Sequence, residues 1–187
     1  MKHALLIATS LAAFALSGCK KGETPAADVA ATTAPADVSA GTVAPAAVNA
    51  DQAFANTLAA SDRFEIESSQ LAATRAKSAG IKKFADAMIK AHTDSSAKLK
   101  TAAATASPAI TPVADLTPAQ QTVLADLSAQ SGEAFDTAYA KAQTDAHQSA
   151  LDSLNAYASG GAQPSLKALA TELIPVVTAH FNMVKGL

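Results

Sequence analysis

The sequence predicts an all-α protein: a four-helix bundle of ferritin-like type, with a short extra helix in the connection between its second and third long helices. Three observations carry this. Alanine dominates a chain that has no Trp, two Tyr and six Phe, and Ala has the highest helix propensity of any residue. Apolar residues recur at three- and four-residue spacing through four long stretches, the mark of helices with one buried face. Those stretches match in length at about 22 to 29 residues, or about 33 to 44 Å at 1.5 Å per residue, and such helices bury their faces by packing antiparallel.

The N-terminal part is of another kind. Met1-Lys2-His3 is a short basic segment, and the apolar run Ala4 to Leu16 is too short to span a bilayer as a mature helix. Leu16-Ser17-Gly18-Cys19 resembles the lipobox of exported bacterial lipoproteins. The resemblance implies a signal peptide over residues 1–18, cleavage before Cys19 and lipidation, including palmitate, of that sole cysteine. Two or more acyl chains anchor stably where one does not. Lys20, where an Asp would resemble the inner-membrane retention signal, favours the outer membrane with the domain facing the periplasm. Residues 19–50 then read as a disordered tether. They hold no aromatic residue, and Pro25, Pro35 and Pro45 would each break a helix. As a flexible coil the stretch spans about 30 Å. The folded domain is expected over residues 51–187.

Asp51 is the expected N-cap of the first long helix. Its stripe is Phe54, Leu58, Ser61, Glu65, Ser68 and Ala72, with Phe64 and Leu71 beside it. The helix is expected to run to about Ala79, with Gly80 as its C-cap. The second runs from Ile81 to about Thr105, with Ile81, Phe84, Met88 and Ala91 on one face and His92 at its edge. Thr117-Pro118 is a strong start signal for the short helix, and Ser131-Gly132 breaks the chain after it. The third long helix, Glu133 to about Ser159, turns Phe135, Tyr139, Ala142, Ala146, Leu151 and Leu154 inward and ends at Gly160-Gly161. Pro164 opens the fourth, whose stripe is Leu166, Leu169, Leu173, Val177, His180 and Val184, with Pro175 bending it. Two connectivities fit, a plain up-down bundle and a crossover between the hairpins; the long connection favours the crossover.

Several residues together resemble a known family. They are Glu65-Ile66 with Leu71-Ala72; Phe84-Ala85 with Met88 and His92; Phe135-Asp136 with Tyr139 and His147; and Leu173, Pro175 and His180. In this combination the chain resembles the family called domain of unknown function 4142, over about Phe54 to Val184. The resemblance implies an exported bacterial protein with a ferritin-like bundle and no assigned biochemical activity. Ala91 departs from the family pattern, which usually has an acidic residue before the histidine.

The net charge of −2, without a basic run, excludes nucleic acid as the expected partner. Lys77, Lys82, Lys83, Lys90, Lys98 and Lys100 read as a solvated face. There is no phosphate-binding loop, no CxxC and no nucleophile elbow, so no enzymatic activity is expected. The chemistry left is a cluster of Glu65, His92, His147 and His180, with Asp136 and Tyr139 in support. A di-iron site is not expected, because no histidine has a carboxylate three or four residues before it. Three readings remain: neutral, hydrogen-bonded core histidines, a mononuclear site for Zn, Cu or Fe, and a pH sensor. The first is preferred, and no resident cofactor is expected. Ser61-Asp62-Arg63 reads as helix surface, and the alanine-rich core argues against a pocket for an apolar carrier.

The function expected is therefore a lipid-anchored cell-envelope protein with a non-catalytic four-helix interaction module. It would serve envelope maintenance or stress tolerance through an envelope protein partner that the sequence does not name. A metal-binding or redox bundle using the interior histidines is the alternative.

Overall fold

The computed structural model describes residues 49–187; the leader, Cys19 and the proline-spaced stretch before Asn49 lie outside the described residues. Helix α1 spans Ala50–Arg75 and begins where the Asn49 side chain accepts from the Gln52 N–H at 2.7 Å. The expected cap, Asp51, has another task. Its carboxylate accepts from the Tyr157 hydroxyl at 2.6 Å and the Ala162 N–H at 3.2 Å. It thereby closes the turn between α4 (Gly132–Gly160) and α5 (Pro164–Val184).

Helix α1 also stops earlier than its pattern predicts. Ala76 and Ser78 are extended, and Asp136 makes the break tolerable by accepting from the N–H groups of Lys77 at 3.1 Å and Ser78 at 2.8 Å. Ser78 Oγ in turn caps α2, Ala79–Ala104, through Gly80 N and Ile81 N. Gly80 is thus in the first turn of α2, not the C-cap of α1. Thr117 and Gln120 form a capping box at the start of α3, Pro118–Ser128. Gly132 opens α4 at φ +65°, a conformation that costs glycine nothing.

The two hairpins pack antiparallel. Phe54 near the start of α1 stacks on Tyr157 near the end of α4 at 3.8 Å between ring centroids. Ala76, just beyond α1, bridges to Gly132 at the start of α4. On the other side Ser165 Oγ, early in α5, donates to the Ala102 carbonyl late in α2 at 2.7 Å. Helices α2 and α4 therefore run parallel across the diagonal, and residues 105–131 must travel the bundle's full length. This is the crossover. It follows α1 as a rail: Gln52 donates to the Thr111 carbonyl, Asn56 accepts from Val113 N–H, Arg63 donates to the Ala114 carbonyl, and Arg75 donates to the Gln130 carbonyl.

One apolar cluster gathers Phe54, Leu58, Leu99, Leu154, Leu166 and Leu173. A second gathers Ala72, Phe84, Met88, Phe135, Tyr139 and Val184. Between them, on α1, α2 and α4, lie residues that are polar yet buried: Asp62, Glu65, Ser68, Ser69, His92, Ser95, Gln143 and His147. A half-open apolar cavity of about 380 Å³ remains between α1, α3 and α4, walled by Phe54, Leu58, Phe64, Val123 and Leu154. The small side chains of Ala60, Ala142 and Ala146 along it leave space between the helices, so the expectation that an alanine-rich core leaves no pocket is corrected. Among the described residues no helix is long and apolar enough to cross a membrane.

Candidate metal centre

The buried polar layer is assembled by helical spacing. On α1, Asp62, Glu65 and Ser69 continue the stripe that starts at Phe54 and Leu58, because residues three and four apart share a face. On α2, His92 lies one turn beyond buried Met88. On α4, Gln143 and His147 are one turn apart. On α5, His180 follows buried Val177. Three helices thus bring three imidazoles to one level, and the rings meet pairwise at centroid distances of 5.8, 5.9 and 5.6 Å.

One ring nitrogen from each of His92, His147 and His180 lies within 4.8 Å of the other two. In an equilateral triangle of that side, each nitrogen is about 2.8 Å from the centre, against 2.0–2.1 Å for a zinc–imidazole bond. Shifts of under about 1 Å per ring would close that gap, so the donor set fits a mononuclear ion.

The other nitrogens fix which atoms face the centre. His147 Nδ1 lies 2.8 Å from the Gln143 carbonyl. A carbonyl only accepts, so Nδ1 carries the proton and Nε2 is bare in the neutral ring. His92 Nδ1 lies 2.8 Å from Asp62 Oδ1, and Ser96 Oγ donates to Asp62 Oδ2 at 3.2 Å. The buried atoms without a protein partner are His92 Nε2, His147 Nε2 and His180 Nδ1, together with Glu65 Oε2 and Gln143 Oε1. Buried polar atoms nearly always find a partner, and here five without one in the protein fall in a single layer.

Electrostatics separate the groups. Burial pushes His147 down to about 4, and the charges of His92 and His180 push the same way against the Gln143 carbonyl. Burial, with the His92 charge, also lowers His180 to about 4. Both rings are neutral at pH 7, the state in which imidazole binds metal. Burial opposes charge on His92 too, but the Asp62 hydrogen bond and the charges of Glu65 and Asp62 hold it above its usual value. Glu65 is pushed up to about 7 by burial, against the His92 charge and the Gln143 side chain.

Of the residues expected in this cluster, the structure brings some together and not others. The three histidines converge. Glu65 stands beside them, outside the triangle, with Oε1 3.7 Å from His147 Nδ1. That is too long for a hydrogen bond. Tyr139 and Asp136 do not partner any histidine. The Tyr139 hydroxyl bonds Ser69 Oγ at 2.7 Å, and Asp136 serves the α1–α2 break. The residue the sequence pattern missed is Asp62, read as surface but only 1% exposed. Its place four residues after Leu58 and three before Glu65 was the available signal. Gln143, one turn before His147, was missed likewise; its amide donates to Ser68 Oγ at 3.1 Å.

The sequence profile of the family described as domain of unknown function (DUF4142) matches residues 32–187. No curated protein matches the chain. Among solved structures, one described as "CopM in the Cu(I)-bound form" is similar with a TM-score of 0.58 at 18% identity, covering 73% of this chain and 93% of that one. At that identity the likeness speaks for the helical fold.

Proposed function

We propose that this chain, which belongs to the DUF4142 family, binds one transition-metal ion through His92 Nε2, His147 Nε2 and His180 Nδ1. The observation that carries this is that the three imidazoles each bring a ring nitrogen within 4.8 Å of the other two, and that each ring has one buried nitrogen without a protein partner. Three imidazoles suit Cu, Zn or Fe, whereas Mg and Ca want oxygen ligands. The layer is closed on the protein side by Asp62 and Gln143 and lies between two apolar clusters. That favours holding an ion over turning over a substrate.

The leader and Cys19 support placing this module in the cell envelope, lipid-anchored and facing the periplasm. Its task there is to retain metal, a contribution to envelope maintenance or stress tolerance without catalysis. The solved CopM structure carries Cu(I), which makes Cu(I) the first ion to test, with Zn(II) second. The purified protein should take up one ion per chain and gain thermal stability that rises with the logarithm of free ion concentration above Kd. Absence of both effects with Cu(I), Zn(II) and Fe(II) would refute the proposal.

A further inference from the structure

One buried carboxylate has no task in a three-imidazole centre. Asp62 is 1% exposed and does not belong to the triangle. Yet both its oxygens are committed, Oδ1 to His92 Nδ1 at 2.8 Å and Oδ2 to the Ser96 hydroxyl at 3.2 Å. We infer that Asp62 is a positioning residue: it holds His92 as the Nδ1–H tautomer, keeps the bare Nε2 turned to the centre, and so sets how tightly the ion is held. This rests on the reading of the three histidines as a metal centre.

The argument is one of tautomers. A histidine ring in water prefers its proton on Nε2, the nitrogen that here faces the centre. His147 is kept in the other form by the backbone carbonyl of Gln143, which no substitution removes. His92 has no such carbonyl. Its Nδ1 proton is held by the side chain of Asp62, and that carboxylate is kept from rotating by Ser96 on the far side. Ser96 itself lines a cleft of about 370 Å³ between α1, α2 and the crossover. The chain of contacts thus runs from that cleft through Ser96 and Asp62 to His92 and ends at the ion. Carboxylates placed behind a ligating histidine orient the ring and raise its basicity, and their loss typically costs 10- to 100-fold in metal affinity.

The test uses Asp62→Asn, which keeps size and shape. Ser96 donates to the new amide oxygen, so the amide N–H faces His92 Nδ1, which must then accept. The ring proton moves to Nε2, into the path of the ion. Affinity for Zn(II) alone and for Cu(I) alone is measured by competition with a chromophoric chelator. Imidazole nitrogen spectra of the metal-free protein are recorded at alkaline pH, where the ring is neutral. The expected result is Nδ1–H at His92 in the wild type, Nε2–H in the variant, and a 10- to 100-fold weaker dissociation constant. A carboxylate serving only the fold would lower the melting temperature and leave the affinity unchanged. Equal affinity in Asp62→Asn, with the wild type binding normally, overturns the inference alone. A wild type that binds neither ion overturns the metal centre and the inference with it. If the variant does not fold, the wild-type spectrum decides, and Nε2–H at His92 overturns the assignment.

Discussion

His147 of α4 and His180 of α5 meet edge to face with ring centroids 5.6 Å apart, but they reach that contact with different freedom. His147 is almost fully buried and tied through Nδ1 to the Gln143 carbonyl. His180 is only half-buried, and its Nδ1 has no protein partner. The two should therefore separate in mutants. His147→Ala removes a buried ring hydrogen-bonded through Nδ1 and should cost the metal-free protein about 1–3 kcal/mol. His180→Ala should cost it much less. Both should abolish metal-dependent stabilisation, which for an intact site at a hundredfold excess over Kd is about 2.7 kcal/mol. Thermal melts with and without Cu(I) check both points, and a His180→Ala variant that keeps the full gain would remove that residue from the centre.

Asp136 was expected beside the histidines and instead supports the backbone at Lys77 and Ser78. Asp136→Ala should therefore act as the loss of a helix-terminal cap, about 0.5–2 kcal/mol, and leave metal affinity untouched. Denaturant unfolding and a metal titration on the same sample test this. A large fall in affinity with unchanged stability would return Asp136 to the site.

That residue also shows where the sequence stops being informative. Periodicity revealed the long helices and the three histidines, because each lies on a stripe set by neighbours three and four residues away, and the Thr117-Pro118 start signal revealed the crossover's short helix. The break at Ala76 to Ser78 was invisible, since the carboxylate that allows it comes from a residue far along the chain, on another helix. Asp62 was hidden differently. It lies between Ser61 and Arg63, and Arg63 does face solvent, pairing with Glu67, so a polar triplet concealed one inward side chain. Burial of a charge becomes legible only with its partner, here His92 on another helix.

The lipid anchor is a matter of sequence alone, as Cys19 precedes the described residues. Cys19→Ser should abolish lipidation and leave an uncleaved precursor in the producing cell. Mass spectrometry of the membrane fraction reads this, and a processed variant that fractionates like the wild type would refute the lipoprotein reading.

The polar layer should also write itself into the pH dependence of the metal-free fold. His147 and His180 titrate at about 4 in the folded chain, below the 6.5 of an unperturbed ring. Between those values the unfolded chain binds more protons at both, so their contribution to stability rises with pH. Glu65 does the reverse. Its folded value of about 7 exceeds the 4.5 of a free carboxyl, so its contribution is full below 4.5 and is lost as pH rises to 7. His92, raised by Asp62 and Glu65 against burial, contributes stability below about 6.5 that is lost above it. Two groups favour higher pH and one opposes them up to about 6.5, after which Glu65 and His92 both favour lower pH. Stability should therefore peak near pH 6.5. Glu65→Gln isolates one part of this curve, because the amide has no charge to bury. The variant should gain on the wild type steadily from pH 4.5 to 7 and hold that gain above it. Because Glu65 lies outside the nitrogen triangle, Glu65→Gln should still bind metal. Unfolding midpoints at pH 5, 6.5 and 8 measure the first effect and a metal titration the second. A variant whose difference from wild type does not change with pH would show that Glu65 is not held neutral by its burial.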